Sequence, residues 1–355
     1  MKNFAKRIIS LTLVLLYTLQ SCSSSGDSTD DAALLTPSNL SISATVVGAT
    51  TANPNGDGSG IVNFKISANN ATSYKILVDG KTVEQTTTDY SHTFTTSGTN
   101  TYVIYVSAYN GTNFISSSTT VAVTVASKLV WSEEFNVDGA PNSAIWGYDL
   151  GDGNGWGNNE SQYYTSRPEN IIVQNGVLKI KTIKESYMGS SYTSARLKSQ
   201  GKFSFKYGKI EFRAKLPEGK GTWPALWMLG DNIGTVGWPA CGEIDVMEHV
   251  GNSLNKIHGS LHSPGRFGNT PDTATTLIEN ATTEFHIYSA DWTANYIKFY
   301  VDNKLFYTFT NSSSFPFNQN FFLILNTAIG GNFGGAIDPN FTSSTFEIDY
   351  IRIFN

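Results

Sequence analysis

The sequence predicts an all-β protein built from two sandwich units, and three observations support this prediction. Short segments that alternate apolar and polar residues recur along the chain, whereas helical periodicity is nearly absent. The 355 residues include 32 glycines, 13% aromatic residues and only 15% charged residues, which is typical of β-rich secreted proteins. Turn-forming residues separate the segments at short intervals, as antiparallel strands require.

The composition also excludes several functional classes. A formal net charge of −5 provides no basic face, so no nucleic-acid partner is expected. No segment reaches the roughly 18 consecutive apolar residues of a membrane-spanning helix. The two cysteines, Cys22 and Cys241, are too few for a disulfide framework, and Cys241 is predicted to be a lone buried thiol.

Residues 1–22 are predicted to be a lipoprotein signal peptide. Lys2, Lys6 and Arg7 precede the short apolar segment 8–19, and Leu19-Gln20-Ser21-Cys22 resembles a bacterial lipobox. Acyl chains on Cys22 would anchor the protein to a membrane without spanning it. We therefore expect an exported bacterial lipoprotein at the outer membrane or cell surface. An ordinary secretory signal with a chance cysteine is the alternative.

The segment 23–37 is polar and predicted to be a linker, and residues 38–126 are predicted to form a small immunoglobulin-like β-sandwich. Alternating segments support the sandwich, at 61–66, 74–78, 102–106 and 121–125. This region resembles PKD-type modules of bacterial surface enzymes. It contains no tryptophan, so a spacer is favoured, although its tyrosines leave a glycan-binding module open.

Residues 127–355 are predicted to be the second domain, an antiparallel sandwich or jelly roll. The predicted strands are 177–182, 208–214, 242–248, 285–292, 296–301, 321–326 and 345–354. Long glycine-rich loops connect them. We expect the protein to be a monomer.

Three carboxylates lie within six residues of one predicted strand: Glu243, Asp245 and Glu248. Alternation places Glu243 and Asp245 on one face of the strand, and would place Glu248 on the other. One extra residue in a β-bulge near Val246 and Met247 corrects the phase. All three acids would then line one groove.

Clustered acids on one face fit the chemistry of a retaining glycosidase. One carboxylate attacks the anomeric carbon, while another donates a proton to the leaving oxygen and later activates water. A solvated acidic strand fits poorly because apolar residues interleave with the acids. A metal site is possible, but zinc patterns such as His-Glu-x-x-His are missing.

The segment Gly242-Glu243-Ile244-Asp245-Val246-Met247-Glu248 resembles the signature of glycoside hydrolase family 16, in the form found in bacterial laminarinases. Similar motifs extend across the second domain, at 131–135, 155–165, 194–196, 221–229, 326–331 and 348–354. The resemblance implies a β-jelly roll whose concave sheet forms a sugar-binding cleft. It also implies endo-acting, retaining hydrolysis of β-1,3-glucan. Glu243 would be the nucleophile, Glu248 the acid/base, and Asp245 a hydrogen-bond partner of the nucleophile.

A glycan cleft requires aromatic platforms for the apolar faces of sugar rings. Trp223 and Trp238 are predicted to lie in the cleft, while Trp227 is left open between cleft and core. The resemblance implies that Asn158, Arg196 and His262 bind hydroxyl groups. His258 could equally be structural, and His249 is expected to point away from the acids.

The resemblance further implies a structural calcium ion, held by Glu134, the Gly176 carbonyl and Asp349. Oxygen ligands suit calcium. The alternative is that Glu134 and Asp349 only cap or pair with neighbouring groups. No cofactor is expected for catalysis.

Other functions remain open. A non-hydrolytic glycan-binding protein is disfavoured, because both glutamates are present. The same chemistry could act on mixed-linkage β-1,3-1,4-glucan or on a galactan. A sulfated galactan would require clustered basic residues, and none lies near the acid strand.

Overall fold

The computed structural model describes residues 34–355, so Cys22 and the predicted signal peptide lie outside it. These residues form two compact units. The smaller comprises the described residues up to Thr45, with Val62–His92 and Thr101–Val121. The larger comprises Val46–Ile61, Thr93–Asn100 and Ala122–Asn355. The boundary between residues 126 and 127 stays a prediction.

The first seven strands form two small sheets, ordered β1-β2-β5 and β4-β3-β6-β7, in which β3 pairs antiparallel with β4 and β6. They are β1 (Ser38–Val46), β2 (Ile61–Asn69), β3 (Ser73–Val78), β4 (Lys81–Gln85), β5 (Asp89–Thr93), β6 (Gly98–Asn110) and β7 (Asn113–Val125). Asp79 and Gly80 form the turn between β3 and β4, with positive φ angles of 50° and 71° between paired Val78 and Lys81. Such angles suit the tight two-residue hairpin. The immunoglobulin-like assignment stays a prediction.

Seventeen further strands build the predicted catalytic region. They are β8 (Leu129–Glu133), β9 (Gly147–Asp149), β10 (Gln162–Tyr164), β11 (Ile171–Gln174), β12 (Val177–Tyr187), β13 (Ser190–Ser194), β14 (Arg196–Lys198), β15 (Gly208–Lys215), β16 (Thr222–Gly230), β17 (Glu243–His249), β18 (Lys256–His262), β19 (Thr273–Leu277), β20 (His286–Trp292), β21 (Tyr296–Val301), β22 (Lys304–Thr310), β23 (Phe321–Ile329) and β24 (Ser343–Phe354). The strand predicted at 296–301 coincides with β21, and the other predicted strands fall within observed ones or start one residue early.

These strands form two sheets. One has seven strands in the order β19-β18-β17-β16-β23-β14-β9, and β17 carries the three acids. The other has ten strands, with the path β10-β13-β12-β24-β15-β20-β21-β22 and with β11 and β8 paired beside it. The all-β prediction is confirmed, and this sandwich is the expected jelly-roll architecture.

The core of the larger unit is made of apolar residues that face inward from both sheets. On β17, Ile244, Val246 and Met247 belong to it, each at most 1% exposed. On the ten-stranded sheet, β24 contributes Ile348 and Ile351 in the same way. Burying apolar area stabilises the sandwich by roughly 25 cal/mol per Å², and it fixes which face of each strand points to solvent.

Helices are short in residues 34–355: α1 (Ile233–Val236), α2 (Gly331–Gly334) and a 3₁₀ turn at Gly153–Gly157. None of the helices in this range could cross a membrane, because none is both long and apolar enough. The 3₁₀ turn contains positive φ angles at Asn154, Gly155 and Trp156. Two residues that follow this turn, Asn158 and Glu160, lie at one wall of the cleft described next.

Candidate active site

Strand β17 places the three acids on the outer face of the seven-stranded sheet. Its pairing with β16 joins Trp227 to Asp245 and Leu226 to Met247, so Val246 is the extra residue. The pairing with β18 shifts in the same interval, between Asp245 and Glu248. The predicted β-bulge is therefore present, and it turns Glu248 to the face of the other two acids.

Each glutamate receives an indole hydrogen bond. Trp238 Nε1 donates to Glu243 Oε2 at 2.8 Å, and Trp223 Nε1 donates to Glu248 Oε1 at 3.0 Å. A longer contact of 3.5 Å joins Ser260 Oγ to Glu248 Oε2. The two indoles thus hold the two carboxyl groups in fixed orientations.

His262 lies beside the other end of the acid cluster. Its Nε2 is 3.2 Å from Asp245 Oδ2 and 3.7 Å from Glu243 Oε1. Within residues 34–355, Glu243, Asp245 and His262 form one group of three potential metal ligands, with the ligand atoms within 4.8 Å of one another. This group coincides with the acids and not with the residues predicted to bind calcium.

Burial raises the pKa of all three acids. The pKa of Glu243 rises to about 8, because burial and the neighbouring charge of Asp245 disfavour ionisation. The pKa of Asp245 lies well above its usual range, first through burial and then through the charge of Glu248. Burial also raises the pKa of Glu248, and the hydrogen bond from Trp223 opposes this rise. The cluster therefore retains protons at neutral pH, as an acid catalyst requires.

A cleft of about 1040 Å³ runs over the acids and across the strands of the sheet. Its lining contains every residue predicted to catalyse or to bind sugar: Asn158, Arg196, Trp223, Trp238, Glu243, Asp245, Glu248 and His262. From β17 to β14, which carries Arg196, the cleft crosses three strand spacings, or roughly 14 Å. It is long enough for several sugar rings in a row.

Trp227, which the sequence left undecided, lies in the cleft. On β16, Leu226 and Met228 are fully buried in the core, whereas Trp227 faces outward beside Arg196. The Arg196 guanidinium lies 4.8 Å from the Trp227 ring centroid and 4.9 Å from that of Trp156. Arg196 Nε also lies 3.0 Å from Asp149 Oδ2, so the guanidinium is fixed by charge and by two aromatic faces.

Several cleft residues were not singled out from the sequence. They are Trp156, Glu160, Ser260, Asn326 and Phe333. Phe333 contacts both Trp223 and His258 edge to face, with ring centroids 5.4 Å and 5.0 Å apart. Trp156 and Glu160 fall within a segment that the sequence did single out, 155–165, and Asn326 falls within another, 326–331. The sequence alone gave no role to these individual residues.

The two other histidines of this region differ in placement. His258 faces the cleft with Ser260 and His262, since all three alternate along β18. His249 is fully buried on the core side, as expected, and burial lowers its pKa to about 4. His249 therefore lies on the opposite face of β17 from the three acids.

The residues predicted to bind calcium lie on or beside the ten-stranded sheet. Gly176 occupies the hairpin turn between β11 and β12, and Asp349 lies on β24. Arg352 donates to both carboxylate oxygens of Glu134, at 2.9 Å and 3.0 Å, and Arg213 donates to Asp349. Because each carboxylate is neutralised by a guanidinium, this donor set as placed does not fit a cation.

Comparison with known proteins identifies the family. The model for Glycosyl hydrolases family 16 matches residues 158–352. A beta-glucanase of Rhodothermus marinus is 44% identical over 243 residues, or 64% of this chain and 85% of that protein. Glucan endo-1,3-beta-glucosidase A1 of Niallia circulans is 37% identical over 256 residues, or 64% of this chain and 37% of that protein.

Solved structures agree with the sequence comparisons. The crystal structure of laminarinase from Flavobacterium sp. UMI-01 is 48% identical and matches with a TM-score of 0.61. The match covers 64% of this chain and all of that structure. The chain therefore belongs to glycoside hydrolase family 16, and it is a glycoside hydrolase.

Proposed function

We propose that this protein is a retaining, endo-acting hydrolase of β-1,3-glucan. The observation that carries the proposal is the bulged strand β17, which places Glu243, Asp245 and Glu248 on the floor of a long cleft lined with tryptophans. An extended cleft accommodates the interior of a polysaccharide chain. The names of the relatives, a beta-glucanase, a glucan endo-1,3-beta-glucosidase and a laminarinase, support β-glucan as the substrate.

The proposed roles follow from how the acids share protons. Asp245, the most buried of the three, keeps its proton, because burial and the charge of Glu248 raise its pKa. Loss of the Asp245 charge removes one of the two main causes that raise the pKa of Glu243, so Glu243 can ionise. The Trp238 indole then stabilises the Glu243 carboxylate.

The covalent steps use the two glutamates in turn. Glu243 attacks the anomeric carbon while Glu248 protonates the leaving oxygen, giving a glycosyl-enzyme and a shortened glucan. Glu248, now ionised, accepts a proton from water, and the resulting nucleophile releases Glu243. Burial raises the pKa of Glu248, which favours the protonated form that the first step requires.

The carboxylate assignment is tested by Glu243→Ala and Glu248→Gln, assayed by reducing-sugar release from laminarin. Each should lose several orders of magnitude in kcat, and azide should partly restore Glu243→Ala by replacing the nucleophile. Glu347→Gln, at a surface ion pair on the ten-stranded sheet, is the matched control. Near wild-type turnover of either glutamate variant would refute the assignment.

Substrate choice needs its own test. Mixed-linkage β-1,3-1,4-glucan is the second candidate, since the same cleft chemistry would cleave it. Activity on laminarin well above that on lichenan and agarose supports the β-1,3-glucan proposal. Equal activity on laminarin and lichenan would replace it with a broader β-glucanase.

We also propose that Cys22 carries a lipid anchor that holds the enzyme at the bacterial surface. The lipobox-like segment before Cys22 supports this, and that segment lies outside residues 34–355. In a bacterial host, the wild type should incorporate labelled fatty acid and Cys22→Ala should not. Absence of label on the wild type would contradict the anchor.

The calcium prediction is tested by chelation. If Glu134, Gly176 and Asp349 hold calcium, the ion must displace Arg352 and Arg213, and its removal should lower the melting temperature. An unchanged melting temperature in EDTA would show that ion pairing alone holds this region.

A further inference from the structure

Glu160 lines the cleft wall next to Asn158, and the reaction steps described above do not use it. Its side chain is mostly buried, and the charge of Arg196 acts on it from across the cleft lining. Burial raises the pKa of Glu160, and the hydrogen bond from Gln162, the charge of Arg196 and the hydrogen bonds from Asn158 and Tyr164 oppose that rise. A buried carboxyl group that receives several donors is costly to retain unless it orients them.

One hydrogen-bond chain begins at Trp227 and ends at Glu160. Trp227 Nε1 donates to Asn326 Oδ1 at 2.7 Å, and Asn326 Nδ2 donates to the Tyr164 hydroxyl at 3.0 Å. Tyr164 then donates to Glu160 Oε2 at 3.2 Å. An indole N–H can only donate, so the direction of every bond in this chain is fixed. Glu160 must be the final acceptor.

A second chain reaches the same oxygen from another direction. The backbone N–H of Ile329 donates to Gln162 Oε1 at 2.8 Å, which fixes the orientation of the Gln162 amide. Gln162 Nε2 therefore points at Glu160 Oε2, 2.7 Å away. Asn158 Nδ2 approaches the other oxygen, Oε1, at 3.4 Å. One carboxylate thus terminates two directional chains and contacts a predicted sugar-binding amide.

The first hydrogen-bond chain begins at Trp227, which lines the proposed sugar-binding cleft. The Trp227 ring lies on the cleft floor, and Arg196 lies against it. If the chain is broken, the indole N–H loses a fixed partner and the ring can rotate. The position of the Arg196 guanidinium would then also become less defined.

We propose that Glu160 is a positioning residue for glucan binding, the common acceptor that orients the Trp227 indole and the Asn158 amide toward the sugar rings. The inference rests on the proposed function of the cleft as a β-1,3-glucan site. Glu160 acts through these neighbours and touches no reacting atom. A glutamine at position 160 cannot replace the carboxylate, which accepts hydrogen bonds at both oxygens. One end of the glutamine amide is a nitrogen that can only donate, and it would face another donor.

The test measures binding without turnover. Glu160→Gln is placed in the Glu243→Gln background, and the Kd for laminarihexaose is measured by calorimetry. We expect binding about tenfold weaker, the usual effect of one lost buried hydrogen bond with an unpaired donor. In the enzyme that keeps Glu243, Glu160→Gln should raise KM by a similar factor while kcat changes less.

A double-mutant cycle separates positioning from general structure. Tyr164→Phe breaks the same chain one bond further on and keeps the ring. If both residues act through one chain, the combined loss in Kd is smaller than the product of the single losses. Glu347→Gln, outside the cleft, should leave Kd unchanged. Unchanged binding by Glu160→Gln, or multiplicative losses in the cycle, would overturn the proposal.

Two further outcomes are also decisive. Should Glu160→Gln fail to fold, Tyr164→Phe alone gives the answer, since weaker binding at an unchanged melting temperature supports the proposal and unchanged binding refutes it. Should the wild type neither bind nor hydrolyse β-1,3-glucan, the proposed substrate is wrong. The cycle is then repeated with whichever of lichenan or agarose oligosaccharides binds, so the two failures stay distinguishable.

Discussion

Replacing the proposed nucleophile should stabilise the protein, and increasingly so as pH rises. The pKa of Glu243 is raised from 4.5 to about 8, so the folded protein binds this proton more tightly than the unfolded chain does. Between pH 4.5 and about pH 8, the folded protein must either keep the proton on Glu243 or bury the charge of its carboxylate. The stability of the wild type therefore falls as pH rises from about 4.5 to 8, and the neutral Glu243→Gln variant avoids that cost.

The magnitude follows from the same values. A rise from 4.5 to about 8 corresponds to at most about 5 kcal/mol above pH 8. Because Asp245 and Glu248 share the protons, we expect about half of this for Glu243 alone. For a unit of this size that is roughly 5–10 °C in melting temperature.

The assay is thermal unfolding of wild type and Glu243→Gln at pH 4, 6 and 8. The variant should melt with the wild type at pH 4 and well above it at pH 8. Glu347→Gln should not gain stability at any pH, because it removes only a partly exposed ion pair with Lys215. Equal melting temperatures at pH 8, or a difference that does not grow with pH, would refute the reasoning.

Three further predictions concern the cleft. Trp223→Phe removes the indole donor that favours ionised Glu248, so the basic limb of the pH profile of kcat/KM should move to higher pH. An unmoved limb would show that Trp223 does not influence the pKa of Glu248. Trp238→Ala should lose about tenfold to a hundredfold in kcat/KM on laminarin with little change in melting temperature, since this residue is 46% exposed. A large drop in melting temperature would instead mean that Trp238 is structural. Deleting Val246 removes the extra residue of the bulge and keeps the pairs Asp245–Trp227 and Glu248–Ala225 in regular alternation. Laminarin hydrolysis should therefore survive this deletion far better than the insertion of an alanine after Met247. Equal losses of activity in the two variants would contradict the bulge geometry.

The sequence predicted the parts of the site that depend on local periodicity. Alternation and one bulge were enough to bring Glu243, Asp245 and Glu248 to one face, because strand geometry fixes side-chain direction within a few residues. His258 and His262 likewise lie on one side of β18, because they are four residues apart on the strand.

Trp227 stayed undecided for a physical reason. Both faces of β16 are covered, one by the core and one by the cleft, so its apolar residues show no polar alternation. Only the pairing of β16 between β17 and β23 shows that Trp227 points outward with Trp223.

Glu160 was missed because the hydrogen-bond chain that ends on it passes through residues distant in sequence. The hydrogen bond between Asn326 and Tyr164 joins residues 162 positions apart, and no local pattern reports such a contact. The same holds for the guanidinium groups beside Glu134 and Asp349, which become visible only when the strands are paired.

The stereochemistry of the first product tests the central claim most directly. If Glu243 attacks the anomeric carbon and Glu248 supplies and then removes the proton, hydrolysis passes through two inversions. Proton NMR of laminarin during the first turnovers should then show the β anomer appearing first, with α following only by mutarotation. Initial appearance of the α anomer would mean a single inversion, and it would contradict the assignment of Glu243 as nucleophile.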